Sequence, residues 1–102
     1  MKRPKYTVRL LRAAEDDFTE IVSYIAAERT DAAESLAQRI ENSLRLLATN
    51  PYLGRVPKDA ALLDLGYRYL TVQNYLIFYV VEERTIFVHR IIHGARDYLG
   101  LF

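Results

Sequence analysis

The stretch Gly66–Tyr98, GYRYLTVQNYLIFYVVEERTIFVHRIIHGARDY, decides how the rest of the chain is arranged. Residues 67–72, 75–82 and 85–92 are rich in β-branched and aromatic types, and Gln73-Asn74 and Glu83-Arg84 interrupt them at the two-residue spacing of tight hairpins. This pattern predicts three antiparallel strands. Two-residue loops set Val72 opposite Tyr75 and Glu82 opposite Thr85, after which side chains alternate between the faces. One face runs from Arg68 and Val72 through Tyr75, Ile77 and Tyr79 to Val88, Arg90 and Ile92. Its middle is aliphatic, so it is expected under the helices. The other runs from Tyr67 and Tyr69 through Leu76 and Phe78 to His89, Ile91 and His93. That face mixes apolar residues with polar-tipped rings that need hydrogen-bond partners when buried, and it is the expected partner surface. Tyr67, Tyr69, Phe78, His89, His93 and Arg96 are its candidate contact residues.

Working outward, residues 6–11 alternate as a short strand, and a helix follows to about Arg29 with Ala14, Phe18, Ile21, Val22 and Ile25 on one stripe. Glu15, Asp16 and Asp17 lie early in it, where acids oppose the positive end of the helix dipole. Asp31 and Glu34 have the spacing of a capping box, and a second helix with Leu36, Ala37, Ile40, Leu44 and Leu47 inward is predicted to run to Asn50-Pro51. The segment NPYLGRVPKDAALLDLG has no clear period and reads as the connection back to the sheet. The fold class is therefore α+β, with an N-terminal strand, an antiparallel helical hairpin and a three-stranded meander, both helices on one face.

The 102 residues suffice for one domain, and the absence of cysteine removes disulfides and thiolate metal sites, as befits a reducing compartment. No run is long enough to span a bilayer and no signal-peptide core is present, so a cytoplasmic location is expected. Net charge is +1, with five basic and no acidic residues in 1–12, three and eight in 13–50, and six and five thereafter. That distribution lacks a broad basic field for a nucleic-acid backbone, although a local patch is available where the basic N-terminus meets the sheet.

Phosphate-cradling glycine loops and nucleophile motifs are absent. His89 and His93 are about 13 Å apart along a strand, too far for one metal ion, so neither metal nor cofactor is expected. His93, Arg96 and Tyr98 supply a proton-moving imidazole, a cation and a phenol, the groups that RNA cleavage by its own 2′-hydroxyl uses. The same groups serve equally in binding a protein. Arg68 and Arg90 fall on the helix-covered face and need a counterion, for which Asp17 on the first helix is the candidate structural partner.

The run Arg68-x-Leu70-x-Val72-x-x-Tyr75-x-Ile77-Phe78-Tyr79, followed by Arg90-Ile91-Ile92-His93-Gly94-Ala95-Arg96-Asp97, resembles the C-terminal half of the RelE/ParE toxin superfamily, its ParE-like branch in particular. Ala14-x-x-Asp17-Phe18-x-x-Ile21 and Pro51-x-x-Gly54 extend the likeness over nearly the whole chain. The resemblance implies a toxin of a type II toxin–antitoxin pair, neutralised by a cognate antitoxin whose segment wraps it, extending its sheet or lying along its helices. It implies no cofactor, and contact with operator DNA only through the antitoxin. ParE-like members act on DNA gyrase, whereas RelE-like members cleave mRNA on the ribosome. The ribonucleases place an arginine directly after the tyrosine that begins the middle strand, where this chain has Leu76. Gyrase inhibition is accordingly the expected activity, with mRNA cleavage through His93, Arg96 and Tyr98 as the alternative and a non-toxic antitoxin-binding module as a third reading.

Overall fold

The structure, a computed structural model, describes residues 6–102. The chain runs β1 (Thr7–Leu10), α1 (Arg12–Ala26), α2 (Thr30–Thr49), α3 (Ala60–Asp64), β2 (Tyr67–Val72), β3 (Tyr75–Glu82) and β4 (Thr85–His93), and ends in a 3-10 turn over Leu99–Leu101. The sheet order is β1-β4-β3-β2, with β1 parallel to β4 and the other pairs antiparallel. Lys2, Arg3 and Lys5 of the expected basic patch lie outside the described residues.

Both hairpins have the predicted register, Val72 opposite Tyr75 and Glu82 opposite Thr85. Their first loop residues, Gln73 and Glu83, adopt left-handed φ of 52° and 54°. The helical hairpin departs from the reading in two details. Helix α1 stops at Ala26, and α2 starts at Thr30 without a side-chain cap on its N-cap Arg29. Asp31 is held by the Arg29 guanidinium at 3.0 and 3.2 Å, which takes it out of the expected capping box.

The helices cover one face of the sheet. Ala14 of α1 and Leu36, Ile40 and Leu47 of α2 are buried against Val72, Ile77, Tyr79, Ile86, Val88 and Ile91. Burying a side chain of this size is worth about 1.5–3 kcal/mol relative to leaving it in water, so this layer carries most of the stability. The connection between α2 and β2 is not featureless. Asp59 accepts from the Leu62 backbone N–H at 3.0 Å and caps α3, and Gly66, at φ 84°, ends it in the left-handed conformation that favours glycine.

Upstream of α3 the connection crosses Tyr79. The Gly54 N–H donates to the Tyr79 hydroxyl at 2.8 Å, and a Cβ at Gly54 would meet that oxygen at 2.6 Å. Only glycine fits so close a crossing.

One irregularity changes what each face presents. In the β3–β4 ladder Phe78 pairs with Arg90 but Tyr79 pairs with Val88, so His89 is an extra, bulged residue. The two lists of face residues are correct up to that point, Arg90 still reaches the helix side, and from Ile91 onward the faces exchange. Ile91 joins the helix-side core, Ile92 joins the opposite cluster, and the His93 ring meets Tyr75, which packs on the helix side.

Candidate functional site

The face turned away from the long helices is built from β2, β3 and β4. Tyr67, Phe78 and Ile92 are buried there with Leu62 of α3, and Tyr69, Leu76, Val80, Tyr98 and Leu101 pack around them. The C-terminal segment lies across this cluster. Phe78 meets the tilted Tyr98 ring at 5.0 Å and Phe102 edge-on at 5.1 Å between ring centroids, and Tyr67 meets Phe102 at 4.8 Å. Phe78 is therefore 0% exposed, and in this conformation its ring is covered by the chain's own C-terminal residues. The covering elements were too short to show a period in the sequence. Their signals were Asp59 three residues before Leu62 and the apolar ending Leu99, Leu101, Phe102.

His89 sits at the bulge with its Nδ1 2.8 Å from the Tyr67 hydroxyl and its ring edge-on to the Tyr67 ring at 5.0 Å. Burial lowers the His89 pKa, partly opposed by the charge of Glu82, and the ring is neutral at pH 7. Burial likewise raises the Tyr67 pKa. The pair is a neutral hydrogen bond, without a charge to offer a phosphate.

The other candidates divide between two places. His93 and Arg96 line a cleft of about 300 Å³ on the α1 side, together with Asp17, Glu20, Tyr24 and Tyr75. The Ala95 N–H donates to His93 Nδ1 at 3.1 Å, so a neutral His93 carries its proton on Nε2. Tyr98, by contrast, is turned onto Phe78 across the sheet. Of the three candidates, His93 and Arg96 thus share the cleft, whereas Tyr98 lies on the opposite face.

The structure distinguishes the two arginines. Arg90 forms a bidentate pair with Asp17, Nε to Oδ2 at 2.7 Å and Nη2 to Oδ1 at 2.9 Å, and the pair is 20% and 13% exposed. Asp17 Oδ2 also accepts the Ile91 N–H at 3.0 Å. Because β1 pairs with β4 only as far as Val88, that amide lies beyond the end of β1, and Asp17 satisfies it. The carboxylate beside it raises the Arg90 pKa. Arg68 has a different environment: it donates to the Gly54 and Tyr52 carbonyls at 3.0 and 3.4 Å and lies over the Tyr52 ring. It positions the connection and makes no pair with Asp17.

Among the described residues no group of three or more His, Cys, Asp or Glu has the geometry of a metal site, and no helix is long and apolar enough to cross a membrane. Tyr24 on α1 is 81% exposed, a shallow groove between α1 and α2 is lined by Phe18, Val22 and Ala37, and β1 has no strand on its outer side.

Comparison with known proteins agrees with this geometry. The family model described as ParE toxin of the type II toxin–antitoxin system parDE matches residues 8–98. Among solved structures, a chain of the chromosomal ParDE toxin–antitoxin system of P. aeruginosa superposes with a TM-score of 0.72 at 20% identity, over 89% of this chain and 98% of that one. A chain of the RelBE2 toxin–antitoxin complex of Mycobacterium tuberculosis gives 0.62 at 21% identity, over 87% and 98%. Comparison with curated proteins gives no match.

Proposed function

The chain belongs to the ParE toxin family of type II toxin–antitoxin systems, and from that premise we propose that it stops growth by binding DNA gyrase and does not cut RNA. The observation that carries this is the make-up of the sheet face at Leu76. In-line attack on a phosphodiester needs positive charge held against the phosphate as its own charge grows, and loss of one such group costs about 10²–10³ in rate. Leu76 sits instead in an apolar cluster with Phe78 and Ile92, packed by Tyr98 and Leu101. His93 and Arg96 lie on the other side of the sheet.

The partner that neutralises the chain is a cognate antitoxin, as the two similar structures from toxin–antitoxin systems suggest. Its landing place in this reading is the helical hairpin with the outer side of β1, where Tyr24 and the Phe18–Val22–Ala37 groove are uncovered. Operator DNA is reached through that antitoxin, and the site of action is the cytoplasm.

Purified chain added to a gyrase supercoiling assay and to ribosomes translating a defined mRNA tests the proposal. Loss of supercoiling with the message intact is the expected result. Site-preferring mRNA cutting overturns it in favour of a ribonuclease. Inactivity in both assays, with antitoxin binding preserved, identifies a non-toxic binding module.

A further inference from the structure

Strand β1 forms one border of the sheet. The Thr7 N–H donates to the Arg84 carbonyl and the Leu11 N–H to the Val88 carbonyl, both at 2.9 Å, so the odd-numbered residues turn their backbone groups toward β4. Backbone direction alternates along a strand, and Val8 and Leu10 therefore aim their N–H and C=O groups outward. Tyr6 continues that row, but its N–H is already taken by the Ala48 carbonyl at 3.2 Å. Beside the border, Val8 and Leu10 line a groove with Leu44 and Ala48 of α2, and Glu41 and Arg45 stand on its rim. One acid and one base leave that rim without net charge.

We infer that the bare edge of β1 pairs with the β1 edge of a second copy of this chain, antiparallel about a two-fold axis at Val8. The backbone pattern suits this occupant. With the axis there, Val8 exchanges both backbone hydrogen bonds with its counterpart, and the Leu10 N–H of each copy meets the Tyr6 carbonyl of the other. The donor that this scheme would pair last, the Tyr6 N–H, is the one that α2 already satisfies. Charge selects the register. An axis at Arg9 would set Arg9 directly against its own counterpart, and an axis at Thr7 would set Arg9 against Lys5, like charges on adjacent strands in both cases. With the axis at Val8, Arg9 faces Thr7 instead. Both helical layers then lie on the same side of the joined sheet, so the two grooves meet and Leu10 lies opposite Tyr6, which packs on that side already.

The same register directs the chain before β1 toward residues 11–15 of the second copy. Residues 1–5 carry Lys2, Arg3 and Lys5 and no acid. The start of α1 presents Glu15 and Asp16, and Asp16 stays 68% exposed although Arg12 stands 3.5 Å away. Basic chain meets acidic helix twice, once on each side of the axis. The antitoxin placed at this edge in the proposed function competes for it, so self-pairing belongs to the free chain.

An interface built on a four-residue strand is small and therefore weak, and sedimentation equilibrium of the purified chain over about 0.01–1 mM is the range in which to see it. The mass should rise from 11.9 kDa toward twice that value. Thr7 is exposed, so a charge there leaves the fold intact. Thr7→Glu adds an acid opposite Arg9 on both sides of the axis and should tighten the pair about fivefold, whereas Thr7→Lys should loosen it by about as much. The double variant Thr7→Cys with Arg9→Cys sets thiols face to face across Cα atoms about 4.5 Å apart, within disulfide reach. Air should crosslink it into dimers about tenfold faster than Arg9→Cys alone, whose thiols sit on a diagonal.

A mass of one chain at every concentration, in both the parent and Thr7→Glu, overturns the proposal and leaves β1 to the antitoxin. A dimer that ignores the charge at position 7, or crosslinking of Arg9→Cys alone as fast as the double variant, overturns the pairing at this edge and register. None of these measurements involves gyrase, so their outcome stands apart from the supercoiling assay.

Discussion

The two faces of the sheet are closed by different means. On one, two long helices bury a continuous layer centred on Ile40, Leu36, Ile77 and Tyr79, and the helix ends and strands are tied by backbone hydrogen bonds. On the other, a helix of five residues and a tail cover Phe78, and ring packing does most of the holding. The contrast is one of anchoring: the first face is closed by long elements bound into the backbone hydrogen-bond network, whereas the second is closed by short elements held mainly by side-chain packing.

The largest effect that tests this contrast comes from truncating one large side chain in each layer. Ile40→Ala should cost about 3–4 kcal/mol, and Phe102→Ala, although it removes more atoms, only about 1 kcal/mol because its ring is half exposed. Urea unfolding of both variants measures this; comparable losses would show that the two layers are equivalent. Asp17→Ala comes next. It strands Arg90 and the Ile91 amide together and should cost about 3 kcal/mol, while Asp17→Asn, which still accepts from the amide, should cost distinctly less. An equal loss in both variants would assign the whole effect to the ion pair.

Gly54→Ala is expected to destabilise by about 2 kcal/mol, because its methyl group would press on the Tyr79 hydroxyl and the Tyr69 carbonyl. Combined with Tyr79→Phe, which removes the oxygen, the penalty should shrink, and a double-mutant cycle reads that coupling. The smallest effect concerns pH. The folded-state pKa of His89 is depressed by burial, so the unfolded chain binds the extra proton more readily. Stability is then full above the ordinary histidine pKa of about 6.5 and declines as pH falls below it, until the folded His89 also protonates. His89→Asn should flatten that decline, as chemical denaturation between pH 7 and 5 will show.

Much of this architecture is legible in the sequence. A side-chain period of two over residues 67–92, broken twice by two polar residues, is enough to set three strands and both turns, because two-residue loops leave the polar pairs Gln73-Asn74 and Glu83-Arg84 at the hairpin tips. The bulge was not legible. It is formed by His89 with no glycine or proline to mark it, and the consecutive Ile91 and Ile92 satisfy either register, so nothing in the pattern records the exchange of faces after it. His93 moved to the α1 cleft for that reason alone. Helix α3 has five residues, barely more than one turn, and cannot display a helical period. Asp17 was identifiable because a charge on a helix-facing strand position needs a partner, but its second task, the Ile91 amide, depends on where β1 stops.

That second task bears on how the protein avoids open-ended assembly. A β-strand with a bare row of amides is a template for unwanted pairing, and in an assembly-prone molecule it seeds fibres. Here a carboxylate occupies the amide of Ile91 beyond the end of β1, and on the far side of the sheet Arg55 exchanges both backbone hydrogen bonds with Tyr69 beside β2. Among the described residues this leaves the four of β1 as the longest stretch at which another strand can be added. Polymerisation needs two such places on each molecule, one to give and one to receive. With growth confined to a single short stretch, an added chain terminates the sheet instead of extending it.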